Sequence, residues 1–143
     1  MTPVMTSGTD NMAGLVEEAL ALAPLVFSQA LEGENRGQLT EATVQALTNS
    51  GLMKMWVPRD FGGAELWPVS SLEVIEALSQ ADGSTGWVLM AAGLCIGTGA
   101  AYIEPGPASK LFDNRHTIVA GHGAPLGRAE VEGNGFRLSG NWS

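Results

Sequence analysis

Apolar residues at positions 15, 16, 19, 22, 23, 26, 27, 30 and 31 recur at spacings of three and four. That pattern predicts one amphipathic helix, capped by Asp10 or Asn11 and running to about Glu32, which Pro24 should kink or divide. Residues 1–9 show no periodicity and read as a loose tail, and residues 33–37 read as a polar loop. Thr40 then caps a second helix, with Leu39 and Val44 in the two positions of a hydrophobic staple, and Gly51 stops it. The short apolar run at 53–58 ends in a proline and reads as an extended link before a turn at Phe61, Gly62 and Gly63. Pro68 suits a first helical turn, and Val69, Leu72, Ile75 and Leu78 form one stripe, which predicts a third helix over 68–81. Asp82 and Gly83 end it, Ser84 caps an apolar helix over 85–102, and a short helix follows over about 107–113.

The period then changes. Residues 117–121 are β-branched and apolar, and residues 128–132 alternate. Gly133, Asn134 and Gly135 are suited to the positive φ angles of a tight turn, and Phe136, Leu138 and Trp142 then alternate with Arg137, Ser139 and Asn141. A mainly α organisation is expected: a tail at 1–9, a helical domain at 10–115, and at 116–143 the opening strands of a β unit. One hairpin cannot bury a face alone, so that β unit reads as unfinished.

Composition narrows the field. The chain has 143 residues, with 15 acidic against 7 basic side chains for a formal charge of −8, and its Lys and Arg are scattered from Arg36 onward. Nothing there forms a basic footprint for nucleic acid, and the absence of Lys or Arg before Arg36 excludes a signal or transit peptide. The lone Cys95 has no internal partner, which fits a reducing, cytoplasmic setting. Charged residues make up only 15%, so much apolar surface should be covered by something else, and a homo-oligomer is expected. No charge falls between Asp82 and Glu104, and Gly93 and Gly97 form a G-x-x-x-G pair, as in a membrane span. The many glycines and the lack of flanking basic residues argue instead for a helix buried on all sides.

Recognisable chemistry is sparse. Gly121 and Gly123 form a G-x-G, but the next glycine falls one position late and no helix follows, so a dinucleotide loop is excluded. His116 and His122 lack Cys or carboxylate partners at ligand spacing, so no metal site is expected, and no catalytic constellation appears. Each of Trp56, Trp67, Trp87 and Trp142 reads first as core packing, although Trp87 opens the apolar helix and Trp142 closes the last strand.

Three runs in order, GLMKMWVPRDFGG at 51–63, LEVIEALSQADGSTGW at 72–87 and APLGRAEVEGNGFRLSGNW at 124–142, resemble the acyl-CoA dehydrogenase superfamily. The A-D-G-S-x-G-W segment, the A-P-x-G loop and the closing S-G-x-W are most similar to its flavin-dependent monooxygenase branch. The resemblance implies an N-terminal helical domain of acyl-CoA dehydrogenase type followed by the first strands of an incomplete β-barrel domain. It implies that FAD, or reduced FMN, is touched at His122, Gly123, Ala124, Pro125, Trp142 and Ser143, and that the apolar helix walls a substrate pocket with Trp87 as a contact. Catalytic residues are expected in a C-terminal bundle outside this chain, which alone should be inactive.

The dehydrogenases proper carry T-E-P-x-x-G-S-D where this chain has G-A-P-L-G-R-A, without the Glu, Ser and Asp. The resemblance therefore implies a reduced-flavin, O₂-dependent hydroxylase of an aromatic or polyketide-like small molecule, served by a separate flavin reductase and assembled as a tetramer. An acyl-CoA dehydrogenase and a non-catalytic helical interaction module are the alternatives.

Overall fold

The structure is a computed structural model that describes residues 7–112, 117–121 and 123–141, without the side chains of residues 7–11. Five helices occupy its first part: α1 (Ser7–Arg36), α2 (Glu41–Ser50), α3 (Pro68–Ala81), α4 (Gly83–Tyr102) and α5 (Pro105–Phe112). An antiparallel hairpin follows, of β1 (Arg128–Glu132) and β2 (Gly135–Ser139). This is the mainly α organisation expected.

Helix α1 is longer than its pattern suggested, since residues 7–9 and 33–36 are helical rather than tail and loop, and it continues through Pro24 without division. Its end is held by an Arg36–Glu32 pair one turn apart, and Gly37 then turns the chain with φ 65°. The inner face of α1, with Ala19 and Val26 fully buried, packs on α3. Thr40 caps α2 as expected, its hydroxyl accepting from the Thr43 N–H, and Gly51 closes that helix with φ 82°.

Residues 51–66 are where the extended reading fails. Leu52–Lys54 and Arg59–Phe61 are single 3₁₀ turns, and the Ala64 and Leu66 amides return to the carbonyls of Lys54 and Met55. The compact knot lets Leu52, Met53, Met55 and Val57 all enter the core, whereas an extended strand would turn alternate side chains outward. Lys54 is buried with them, and its Nζ donates to the Phe112 carbonyl at 2.5 Å, a cation at the C-terminal end of α5.

Trp56 leaves the same knot toward α4. Its indole N–H donates to Ser71 Oγ at 2.9 Å, and the Ser71 hydroxyl donates to the Pro68 carbonyl, so the one buried hydroxyl serves both partners. The ring rests on Gly93 and Gly97: a Cβ at Gly93 would meet the ring carbons at 3.2 Å, and one at Gly97 would meet Trp56 Cβ at 2.8 Å. The G-x-x-x-G pair is thus a slot for an indole. Gly86 is a similar close approach, where a Cβ would collide with Ser79 Oγ of α3.

Helix α4 is not buried on all sides. Thr85, Gly86, Leu89, Gly93, Ile96, Gly97 and Ala100 are buried along one face, while Trp87, Leu94 and Tyr102 stand exposed on another. Residues 12–36 and α4 are each long and apolar enough to cross a membrane by length and composition alone. Helix α5 begins at Pro105, two residues before its expected start, and residues 113–116 lie outside the described residues. Residues 117–121 form no strand, and among the described residues no strand offers them a ladder.

The hairpin pairs Val131 with Phe136 and Ala129 with Leu138, which puts the apolar side chains on one exposed face. Of the three residues expected at positive φ only Gly133 adopts it, at 62°, because a two-residue turn with glycine first suffices. Arg137 pairs with Glu132 beside the turn.

If the glycine slot holds Trp56 as described, Gly97→Val should lower stability by about 1–3 kcal/mol through overpacking. Gly14→Ala, with nothing near its Cβ, should raise stability by up to about 1 kcal/mol. Urea unfolding of both variants checks the pair, and equal effects of one sign would contradict the assignment.

Candidate functional site

Asp82 starts α4, and it does so where a serine cap at Ser84 was expected. Its carboxylate accepts from the Thr85 amide at 2.8 Å and from the Thr85 hydroxyl at 2.7 Å, and its own N–H donates back to the Leu78 carbonyl. Closing one helix and opening the next at a single residue sets the direction and rotation of α4. That rotation determines which α4 side chains face outward.

Among the described residues, α4 borders a cavity at three places. The first, of about 550 Å³, lies at its N-terminal end between Trp87, Asp82 and Ser84, the end of α1 (Gln29, Glu34) and Thr40. The second, also about 550 Å³, is an apolar groove between α3 and α4, with Trp56 as floor and Leu72, Leu94 and Tyr102 along its sides. The third, of about 400 Å³, is a cleft where Leu94, Cys95 and Thr98 face Val119, Ala120, Gly121 and Gly123. Leu94 and Thr98 line both the groove and the cleft, so the two share a ridge.

In the cleft the chain passes close over α4: a Cβ on Gly121 would meet Cys95 Sγ at 2.6 Å. Beside it a Cβ on Gly123 would meet open space. Gly121 and Gly123, on either side of His122, present backbone without a side chain of their own. Ala124 accepts from the Leu126 N–H at 2.9 Å, which folds the loop back on itself, and Pro125 has no N–H to offer.

Of the residues expected at a site, Gly123 borders the cleft, and Ala124 and Pro125 are exposed beside it. His122, Trp142 and Ser143 lie outside the described residues. Trp87 is 67% exposed, so its side chain is not core packing, and it borders the first cavity. It stands about 12 Å along the helix axis from Cys95, so the structure does not bring it into the cleft with Gly123. Cys95, Leu94 and Thr98 were not singled out by motif. Their signal is the spacing of one and three along α4 toward the later glycine-rich loop, visible only once the two segments are placed together.

Residues 12–103 match the acyl-CoA dehydrogenase N-terminal domain. The chain belongs to that family.

Indole-3-acetate monooxygenase of Pseudomonas putida is 30% identical over 115 residues, which is 78% of this chain and 28% of that protein. The oxygenase component of the FADH(2)-dependent resorcinol hydroxylase of Rhizobium sp. is 32% identical over 132 residues, covering 90% of this chain and 32% of that protein. XiaF from Streptomyces sp., solved in complex with FADH2 and glycerol, superposes with a TM-score of 0.88 at 28% identity, over 99% of this chain and 36% of that one. The chain thus spans about a third of the length of the proteins it matches. The likeness to XiaF extends beyond residue 103 into the hairpin.

Two measurements check the site. Replacing Asp82 by Ala should cost about 1 kcal/mol in thermal unfolding through the lost cap. Gly121→Val should lift the loop from α4 and speed maleimide labelling of Cys95 several-fold; an unchanged labelling rate would remove the contact from the description.

Proposed function

We propose that this chain is the N-terminal part of the oxygenase component of a two-component flavin-dependent monooxygenase. The complete protein hydroxylates an aromatic or polyketide-like small molecule with O₂ and receives FADH2, or reduced FMN, from a separate reductase. The observation that carries this reading is the superposition of 99% of the chain on XiaF, a structure holding FADH2.

The residues of the cleft fit one edge of such a cofactor. Gly121 and Gly123 expose backbone to a planar ring, Leu94 and Cys95 supply an apolar wall, and the cleft contains no charged side chain among its lining residues. Phosphate groups would need donors from elsewhere, since the described loop has no run of amides opening a helix. When bound, reduced flavin supplies the electrons that let one oxygen atom of O₂ enter the substrate while the other leaves as water. This chain's residues contribute by excluding water: Leu94 and Thr98 form the ridge between the cleft and the apolar groove. His122, Ala124, Pro125, Trp142 and Ser143 complete the cofactor contacts in this reading, and Trp87 touches substrate. The complete enzyme is a cytoplasmic homo-oligomer in this reading. Loss of Glu, Ser and Asp from the dehydrogenase loop favours hydroxylation over acyl-CoA oxidation.

The test uses the complete protein with reduced flavin and labelled O₂. Product carrying one labelled oxygen supports the proposal, and oxygen-independent bleaching of the flavin by an acyl-CoA would replace it with a dehydrogenase. The chain of 143 residues alone should show no stoichiometric flavin binding by fluorescence titration.

A further inference from the structure

Helix α4 carries one hydroxyl that the fold does not use. A serine or threonine inside a helix can return its hydroxyl to a carbonyl three or four residues back. Ser28, Thr48, Ser50, Ser79 and Ser109 all do so here. Thr98, near the end of α4, is exposed and makes no side-chain hydrogen bond among the described residues.

Its place gives that hydroxyl a use. Thr98 and Leu94 line both the apolar groove and the cleft, so a molecule lying in the groove comes nearest the cleft at these two side chains. The polar atoms at the groove floor are already committed, the Trp56 N–H to Ser71 and the Ser71 hydroxyl to the Pro68 carbonyl. Tyr102, at the far end, is turned to solvent at 87% exposure. No side chain lining the groove or the cleft carries a charge, so a carboxylate bound there would give up hydration without a partner. From Met90 to Tyr102 the groove runs about 18 Å along α4, longer than a single aromatic ring needs. Its volume of about 550 Å³ suits a small molecule held by apolar walls and a few polar groups. Trp87 stands less than one turn before Met90, which lets one elongated molecule touch both Trp87 and Thr98.

We infer that Thr98 is a positioning residue for a neutral, fused-ring substrate that carries a hydroxyl or a ring N–H. The rings lie in the groove over Trp56, the polar group meets the Thr98 hydroxyl, and the adjoining ring edge is turned toward the cleft. A threonine hydroxyl both donates and accepts, so it serves either polar group. The inference rests on the monooxygenase reading for what the cleft holds, and it adds the class of molecule that the groove takes.

Equilibrium binding of naphthol, naphthalene and naphthoate to the complete protein, without flavin or oxygen, tests this. Naphthol and naphthalene are expected to bind, and naphthoate more weakly than either. Thr98→Val keeps the shape of the side chain and removes the hydroxyl. It should weaken naphthol about three- to tenfold and leave naphthalene unchanged, while Thr98→Ser should bind naphthol as the parent does. Naphthol binding that is unchanged in Thr98→Val, an equal loss for naphthol and naphthalene, or naphthoate held as tightly as naphthol would overturn the inference. So would the absence of naphthol binding, which is the result if the rest of the complete protein fills the groove. Failure here is separable from failure of the monooxygenase proposal, because binding is read without flavin: labelled oxygen in the product together with binding indifferent to Thr98 removes this inference alone.

Discussion

Trp56 in its glycine slot is the contact on which the rest of the helical domain depends. The indole reaches α4 only because Gly93 and Gly97 have no side chains, and it is tied to α3 by the bond to Ser71. One side chain thus joins the 3₁₀ knot, α3 and α4. A buried indole N–H without that hydroxyl would cost about 1–3 kcal/mol, so the contact is apolar packing and polar satisfaction at once.

From this contact follows the shape of the candidate site. With α4 held on its glycine face, and its rotation set by the double cap at Asp82, the stripe of Trp87, Leu94 and Thr98 must point away from the core. Leu94 and Thr98 then form the ridge between groove and cleft, and Cys95 lies under Gly121. The residues that pack the domain and those that present a surface alternate along one helix. That is how a helix without a single charge from end to end serves both purposes.

Much of the fold is legible residue by residue. The stripe at Val69, Leu72, Ile75 and Leu78 behind Pro68 located α3 to the residue, and Gly133 located the hairpin turn. Thr40 and Gly51 marked both ends of α2. Where the reading failed, a partner distant in sequence had the deciding vote. Residues 53–58 look like a strand, yet the core accepts them all only as a 3₁₀ knot, closed by amides from residues 64–66. Pro24 lacks an N–H, but α1 continues through it because the flanking turns remain anchored on α3.

The site divides along the same line. A motif places Gly123, Ala124 and Pro125 after the helical region and Trp87 at the opening of α4, because local order along the chain is a property of sequence. Which of them share a cavity is a matter of distance, and only the packed structure sets Gly121 on Cys95 while leaving Trp87 in a separate cavity. The local pattern by itself determined α3, the caps of α2 and the hairpin turn, since these depend on neighbours within four residues. The rotation of α4, and with it the meaning of Gly93 and Gly97, was decided by tertiary structure, since an indole from residue 56 has to occupy the space that two missing side chains leave.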